Sequence, residues 1–284
     1  MGSRFFSLAV KVLAETSEVT LLIFLMMIAV DVIHVWTHGQ LALIFRGGRR
    51  WRQYVFASLI GAAPGCMGGY TNVSLYMHGV ISFGALTGSM IAATGDEAFV
   101  MLAYFPKAAV LIFGALTVLG MGVGWITDAV IKKWSIPTAL DCQLQRVHQT
   151  EGNILHYLQD HVWTHIIKKH LLKVFLWTLG AIFLVEVGLK FGNLEMLSSQ
   201  YPIVTLFAAA LLGLIPQSGP HLIFVSMYAK GLVPLSVLVT SAIVQDGHGM
   251  LPLLSYSVRD SVMLKSINLG FGLIIGLGLF WAGR

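Results

Sequence analysis

The chain has 284 residues, 56% of them hydrophobic and only 11% charged, with a net charge of +5. Soluble domains carry about a quarter of their residues as Asp, Glu, Lys and Arg, so too little polar surface remains here for a water-soluble globule. The composition excludes nucleic-acid-binding modules, disordered tails and secreted disulfide scaffolds. The two cysteines, Cys66 and Cys142, lie in unlike surroundings and are not expected to bridge.

Residues 1–18 are amphipathic and carry Arg4, Lys11, Glu15 and Glu18. They lack the uncharged core of a signal peptide and read as an interfacial helix. Residues 19–127 form a first membrane region. It opens with a span from Val19 to about Trp36 and a basic loop from Arg46 to Arg52. An apolar stretch then runs from Tyr54 to about Ile131, punctuated at Pro64–Gly69, His78–Gly79, Gly95–Glu97 and Pro106–Lys107. A polar connector, roughly 128–170, follows. Residues 171–284 form a second apolar region, interrupted at 193–202, Pro216–His221, Lys230–Gly231, Asp246–Gly249 and Arg259–Asp260.

The two sets of interruptions match. Sliding the chain by 152 residues aligns 61–124 with 213–276 without a gap and yields 15 identities in 64 positions, among them Gly61/Gly213, Pro64/Pro216, Tyr76/Tyr228, Gly95/Gly247 and Gly120/Gly272. Shared apolar bias does not explain matched Gly, Pro, Ser and Tyr, so the chain is read as an internal duplication. Each copy has room for five segments, and an odd number predicts copies of opposite orientation. The charges agree: this arrangement puts 13 of the 18 basic residues, Lys230, Arg259 and Lys265 among them, on the cytoplasmic side. The expected fold is thus an all-α polytopic membrane protein of two inverted repeats with Gly/Pro-broken helices. Both termini would lie outside and the connector inside, in a bacterial inner membrane.

Inverted repeats whose helices break at matching places are the signature of secondary transporters, with the binding site at the breaks. The first pair of breaks offers Pro64, Cys66 and Asn72 against Pro216, Gln217, Ser218 and His221. The bland reading is a kink that lets helices pack; two breaks in register, each beside polar side chains, favour function. The second pair offers Asp96 and Glu97 against Asp246 and His248. Ionisable groups at bilayer depth cost about 2.5–3.5 kcal/mol each, unless these are turns that reach the headgroups. On the first span of each copy, Asp31 and His34 lie one helical turn apart, and Glu186 occupies the position equivalent to His34. Pooled, Asp31, His34, Asp96, Glu97, Glu186, Asp246 and His248 are rich in carboxylate with some imidazole, a set that suits Mn²⁺, Fe²⁺ or Zn²⁺. The connector holds five of the ten histidines; His156 with Asp160, and His161 with His165, are i,i+4 pairs able to hold a divalent metal, or else part of a solvated basic face.

No phosphate loop, H-E-x-x-H or G-x-S-x-G motif is present, so the chain is not read as an ATP-driven pump or an enzyme. The strings GAAPGCMGGYTN, TGSMIAATGDEAF, LGLIPQSGPHLIF and QDGHGMLPLL resemble the family of ten-helix heavy-metal exporters, whose members carry labels such as manganese transporter and arsenic-efflux-like permease. The resemblance spans nearly the whole chain and implies ten membrane segments and metal efflux. The expected function is proton-coupled export of a divalent transition metal, Mn²⁺ foremost, with the metal as cargo and no permanent cofactor. Its partners would be the bilayer, the metal ion and protons, and a homodimer is allowed. Two alternatives stand beside it: a carrier of an oxyanion held at the half-helix N-termini after Pro64 and Pro216, and an intramembrane metalloenzyme.

Overall fold

The computed structural model describes residues 10–18, 50–95, 97–138, 202–217 and 219–283, with scattered positions between 20 and 25 and between 171 and 183. Asp31, His34, Asp96, Glu186, Ser218, and the connector residues His156, Asp160, His161 and His165, lie outside the described residues. Among those described, every regular element is helical. In chain order they are α1 Trp51–Gly61, α2 Met67–Met77, α3 Phe83–Ala92, α4 Glu97–Tyr104 and α5 Pro106–Trp134, then α6 Pro202–Gly213, α7 Gly219–Ala229, α8 Leu235–Val244, a 3-10 turn Gly247–Gly249, α9 Met250–Tyr256 and α10 Val258–Ala282.

Local chemistry sets several of these boundaries. The Ser82 hydroxyl accepts from Ala85 N (3.1 Å) to cap α3, and Ser257 accepts from Asp260 N (3.2 Å) to cap α10. Pro106 opens α5, where its missing N–H costs nothing. That helix stops at left-handed Ser135, after Lys132 and Lys133 have met the negative end of its dipole.

Among the described residues, α5, the α8–α9 run Leu235–Tyr256 and α10 are long and apolar enough to cross a membrane. With 29 residues, α5 spans roughly 43 Å at ~1.5 Å per residue, more than the ~30 Å hydrocarbon core. Its outward side chains include Leu111 and Val118, and those of α10 include Ile274 and Trp281; all are well over half exposed. Apolar surface on this scale is stable against lipid, not water. The chain is an integral membrane protein.

The helix boundaries repeat at the offset of 152 residues. α2 maps onto α7 and α3 onto α8 at both ends, α1 and α6 end at equivalent glycines, α4 and α9 end at equivalent tyrosines, and α5 and α10 start at equivalent positions. Two pairs of left-handed glycines repeat as well: Gly79 and Gly231 (φ 65° and 70°), and Gly95 and Gly247 (φ 54° and 52°). At this φ a side chain would be strained, so the breaks after α3 and α8 depend on Gly95 and Gly247.

Small residues bring the helices together. Gly84 and Gly88 of α3 face Gly124 and Gly120 of α5 so closely that a Cβ at Gly88 would collide with the Gly120 carbonyl oxygen. This is the small-xxx-small seam by which membrane helices associate. In the second half, Thr240 and Val244 of α8 fill the same role against Gly276 and Gly272 of α10. The halves then interlock reciprocally. Met250 and Leu253 of α9 join the core around Val73 and Tyr76 of α2, while Val225 of α7 joins the core around Met101 of α4. Tyr76 donates to the Asp260 carboxylate at the start of α10 (2.5 Å), and its repeat equivalent Tyr228 stacks edge-on against Phe105 at the start of α5 (5.1 Å).

The N-terminal segment is tied to the α6–α7 break. Residues 10–18 are helical with Val12 and Thr16 buried, and Gln217 Nε2 reaches Glu15 Oε1 at 3.5 Å.

Candidate functional site

The helix breaks meet. Gly65 N donates to Gly95 O (2.9 Å), which joins the α1–α2 break to the α3–α4 break. From the other half, Gln245 Nε2 donates to Ala93 O (3.3 Å), two positions separated by the repeat offset itself. Cys66 Sγ lies 3.9 Å from His248 Nδ1, and a Cβ on Gly69 would lie 3.3 Å from Gly249 Cα. Three breaks thus converge on one place.

The fourth break is tied in by a residue that the sequence reading assigned to the cytoplasmic face. Lys265 is buried two turns into α10. Its ammonium pairs with Asp246 Oδ2 (2.7 Å) and donates to the carbonyls of Gly213 (2.7 Å) and Val244 (3.1 Å), the last residues of α6 and α8. Asn268 Nδ2, one turn further along α10, donates to Asp246 Oδ1 (2.8 Å). Two of the ammonium's protons go to the carbonyls, and the carboxylate lies at ion-pair distance. Two helix C-termini, each a focus of negative dipole, and a carboxylate therefore enclose one buried cation. Lys265 is thus a buried charge within a helix and not one at the cytoplasmic surface, and it leaves the count of basic residues that argued for orientation. A signal for it existed: its repeat equivalent is Phe113, and that of Asn268 is Leu116. Polar residues at positions where the other copy is apolar need a partner in the fold.

The opposite asymmetry marks a structural anchor. Asp128 accepts from Tyr54 Oη (2.9 Å), Ser82 Oγ (2.5 Å) and Gly84 N (2.8 Å), tying α1, α3 and α5 together at the N-terminus of α3. Its repeat equivalent is Phe280, packed with Leu206, the equivalent of Tyr54, in one apolar cluster. Here an apolar cluster replaces the polar one, so Asp128 holds helices and is not part of the convergence.

Of the sequence candidates, Cys66, Glu97, Gln217, His221, Asp246 and His248 flank the breaks, and Pro64 and Pro216 lie within them. Asp246 is committed to Lys265 and Asn268. His221 is fully buried and shares a hydrogen bond with Ser241 Oγ (3.1 Å) across α7 and α8. Asn72 donates to Ala57 O (3.0 Å) and binds α2 to α1. No three of the described His, Cys, Asp and Glu residues are grouped closely enough to hold a metal between them. Around the breaks, Thr94 Oγ1, Gln245 Oε1, Gln217 Oε1 and Asn72 Oδ1 are buried without a hydrogen bond. Orphaned buried oxygens are rare in native structures, and each calls for an explanation. A largely apolar cavity of about 660 Å³ opens between Leu214 and Pro216 of the α6–α7 break and Met250, Leu254 and Lys265.

A family model described as "Putative, 10TM heavy-metal exporter" matches residues 9–183 and 161–282. The chain belongs to this family. The match takes in both halves and every break described above, so the earlier resemblance holds over nearly the whole chain. No curated protein and no solved structure matches. The family's description names heavy-metal export and ten membrane segments.

Proposed function

We propose that the chain exports a divalent heavy metal by secondary transport, with alternating access between two inverted repeats and a proton as the coupling ion. The observation that carries this reading is the convergence of four helix breaks on one buried polar cluster, in a member of a heavy-metal exporter family. Broken backbone is tolerated at membrane depth only where protein buries it or it lines a wet cavity, and transporters place their sites at such breaks. The recurrence of helix boundaries and the reciprocal α2–α9 and α7–α4 packing support two copies related by exchange.

Asp246 serves here as a gate more than as an open ligand, because Lys265 and Asn268 occupy its oxygens. Lys265 offers no free charge to an oxyanion, since a carboxylate and two carbonyls engage it, which leaves the oxyanion alternative the half-helix N-termini alone. The preference for Mn²⁺ rests on Asp31, His34, Asp96 and Glu186.

The test is flux into proteoliposomes loaded with metal-sensitive and pH-sensitive dyes, offered Mn²⁺, Zn²⁺ and Cd²⁺ in turn. Metal movement with opposite proton movement is expected, reduced in Asp96→Asn. Oxyanion flux without metal flux would refute the reading.

A further inference from the structure

We propose that Cys66 and His248 form a thiolate–imidazole pair that takes a thiophilic divalent metal, of the chemistry of Zn²⁺ or Cd²⁺, at the meeting of the two halves. The proposal rests on the exporter reading and narrows its cargo.

The two side chains come from copies far apart in sequence, and the backbone aims both at one point. Cys66 is the residue just ahead of α2, set there by left-handed Gly65 (φ 91°). His248 lies in the 3-10 turn that opens on left-handed Gly247 (φ 52°). Gly69 and Gly249 let the first turn of α2 and this turn approach to backbone contact. The resulting Sγ to Nδ1 separation is 3.9 Å. Across a tetrahedral metal with S and N bonds of about 2.3 and 2.0–2.1 Å, the two donors stand roughly 3.6 Å apart, so a shift of a few tenths of an ångström closes the chelate. The N-terminus of α2 behind the sulfur favours the anion that ligation requires, and metal binding releases the thiol proton to water. Both residues are partly exposed while Gln245 and Asp246 beside them are buried, so an ion reaches the pair without first breaking the Asp246–Lys265 bridge.

This ligand pair changes the expected cargo. Sulfur and imidazole select Zn²⁺ and its heavier relatives, whereas Mn²⁺ prefers oxygen. The simpler account of the contact is a weak S–H···N hydrogen bond that holds the turn in place. Cys66→Ser separates the two, because serine keeps a donor and loses the soft ligand.

The experiment uses full-length protein carrying Cys142→Ser, so that Cys66 is the one thiol, in detergent micelles and in proteoliposomes. Co²⁺ titration should produce a sulfur-to-metal charge-transfer band that saturates at one ion per chain and is displaced by Zn²⁺ or Cd²⁺. Cys66→Ser should abolish the band and cut Zn²⁺ and Cd²⁺ flux at least tenfold. His248→Ala should weaken Co²⁺ binding at least tenfold, with unchanged elution and thermal unfolding showing that both variants fold. Absence of the band in the parent, or its survival in Cys66→Ser, overturns the pair, as does Zn²⁺ and Cd²⁺ flux untouched by that substitution. Continued Mn²⁺ flux in those cases leaves the exporter reading standing. A Cys66-dependent band with no flux of any metal supports the pair and overturns the exporter reading.

Discussion

Lys265→Met removes the charge that neutralises Asp246 and strips a donor from the carbonyl ends of α6 and α8. Asp246 is 5% exposed and Lys265 9%, so water cannot replace the lost partner. Breaking a buried pair from one side costs about 3–5 kcal/mol, because an uncompensated charge stays behind. Removing both charges, with Lys265→Met and Asp246→Asn together, should recover about half of that, since the new amide keeps a partner in Asn268. Neutral hydrogen-bonded pairs in membrane helices show couplings near 0.6 kcal/mol, rarely above about 1.7. A charged pair should therefore stand out in a double-mutant cycle. The assay is reversible unfolding in mixed micelles titrated with a denaturing detergent, for wild type, both single variants and the double variant. A coupling at or below the neutral range, or a single variant as stable as wild type, would refute the assignment of Lys265 as the buried counter-ion.

Gly120→Ala should lose about 1–3 kcal/mol by the same assay, because its Cβ collides with the Gly88 carbonyl. Gly114→Ala, on the same helix with open space around it, should hold stability or gain up to about 1 kcal/mol; equal losses at both sites would undo the seam. Tyr76→Phe deletes the donor to Asp260 between α2 and α10 and should cost about 1.5–3 kcal/mol; an unchanged unfolding midpoint would show that the bond contributes nothing. Gly247→Ala forces a side chain into the left-handed region and should cost about 1–2 kcal/mol. In proteoliposomes it should also slow metal flux, and full flux would separate that break from transport.

How much of this was legible beforehand depended on whether the information was local. The duplication, the breaks and the apolar spans are written in residue types with fixed conformational meaning. Glycine at 95 and 247 and proline at 64 and 216 interrupt helices wherever they stand, and their common offset survives in any fold. The lipid-facing character of α5 and α10 follows from composition alone. Asp246 and His248 stand out as candidates, because ionisable groups in apolar runs are conspicuous.

Partnerships were not legible. Lys265 lies 19 residues from Asp246, and by charge alone it counts among the basic residues of the cytoplasmic side. Asp128 lay at the edge of the connector and drew no attention, yet it clamps three helices. Hydropathy treats a Lys in a span as a cost and cannot say what repays it; that depends on which helix ends face it. In the same way, Cys66 and His248 looked like separate features of separate repeats until the halves interlocked. Sequence alone decided that this chain lives in a membrane, in two copies broken at matched points, because burial and backbone strain act on each residue by type. Tertiary structure alone decided which charges meet and which sulfur faces which imidazole, because a contact across 182 residues is set by helix packing and not by local preference.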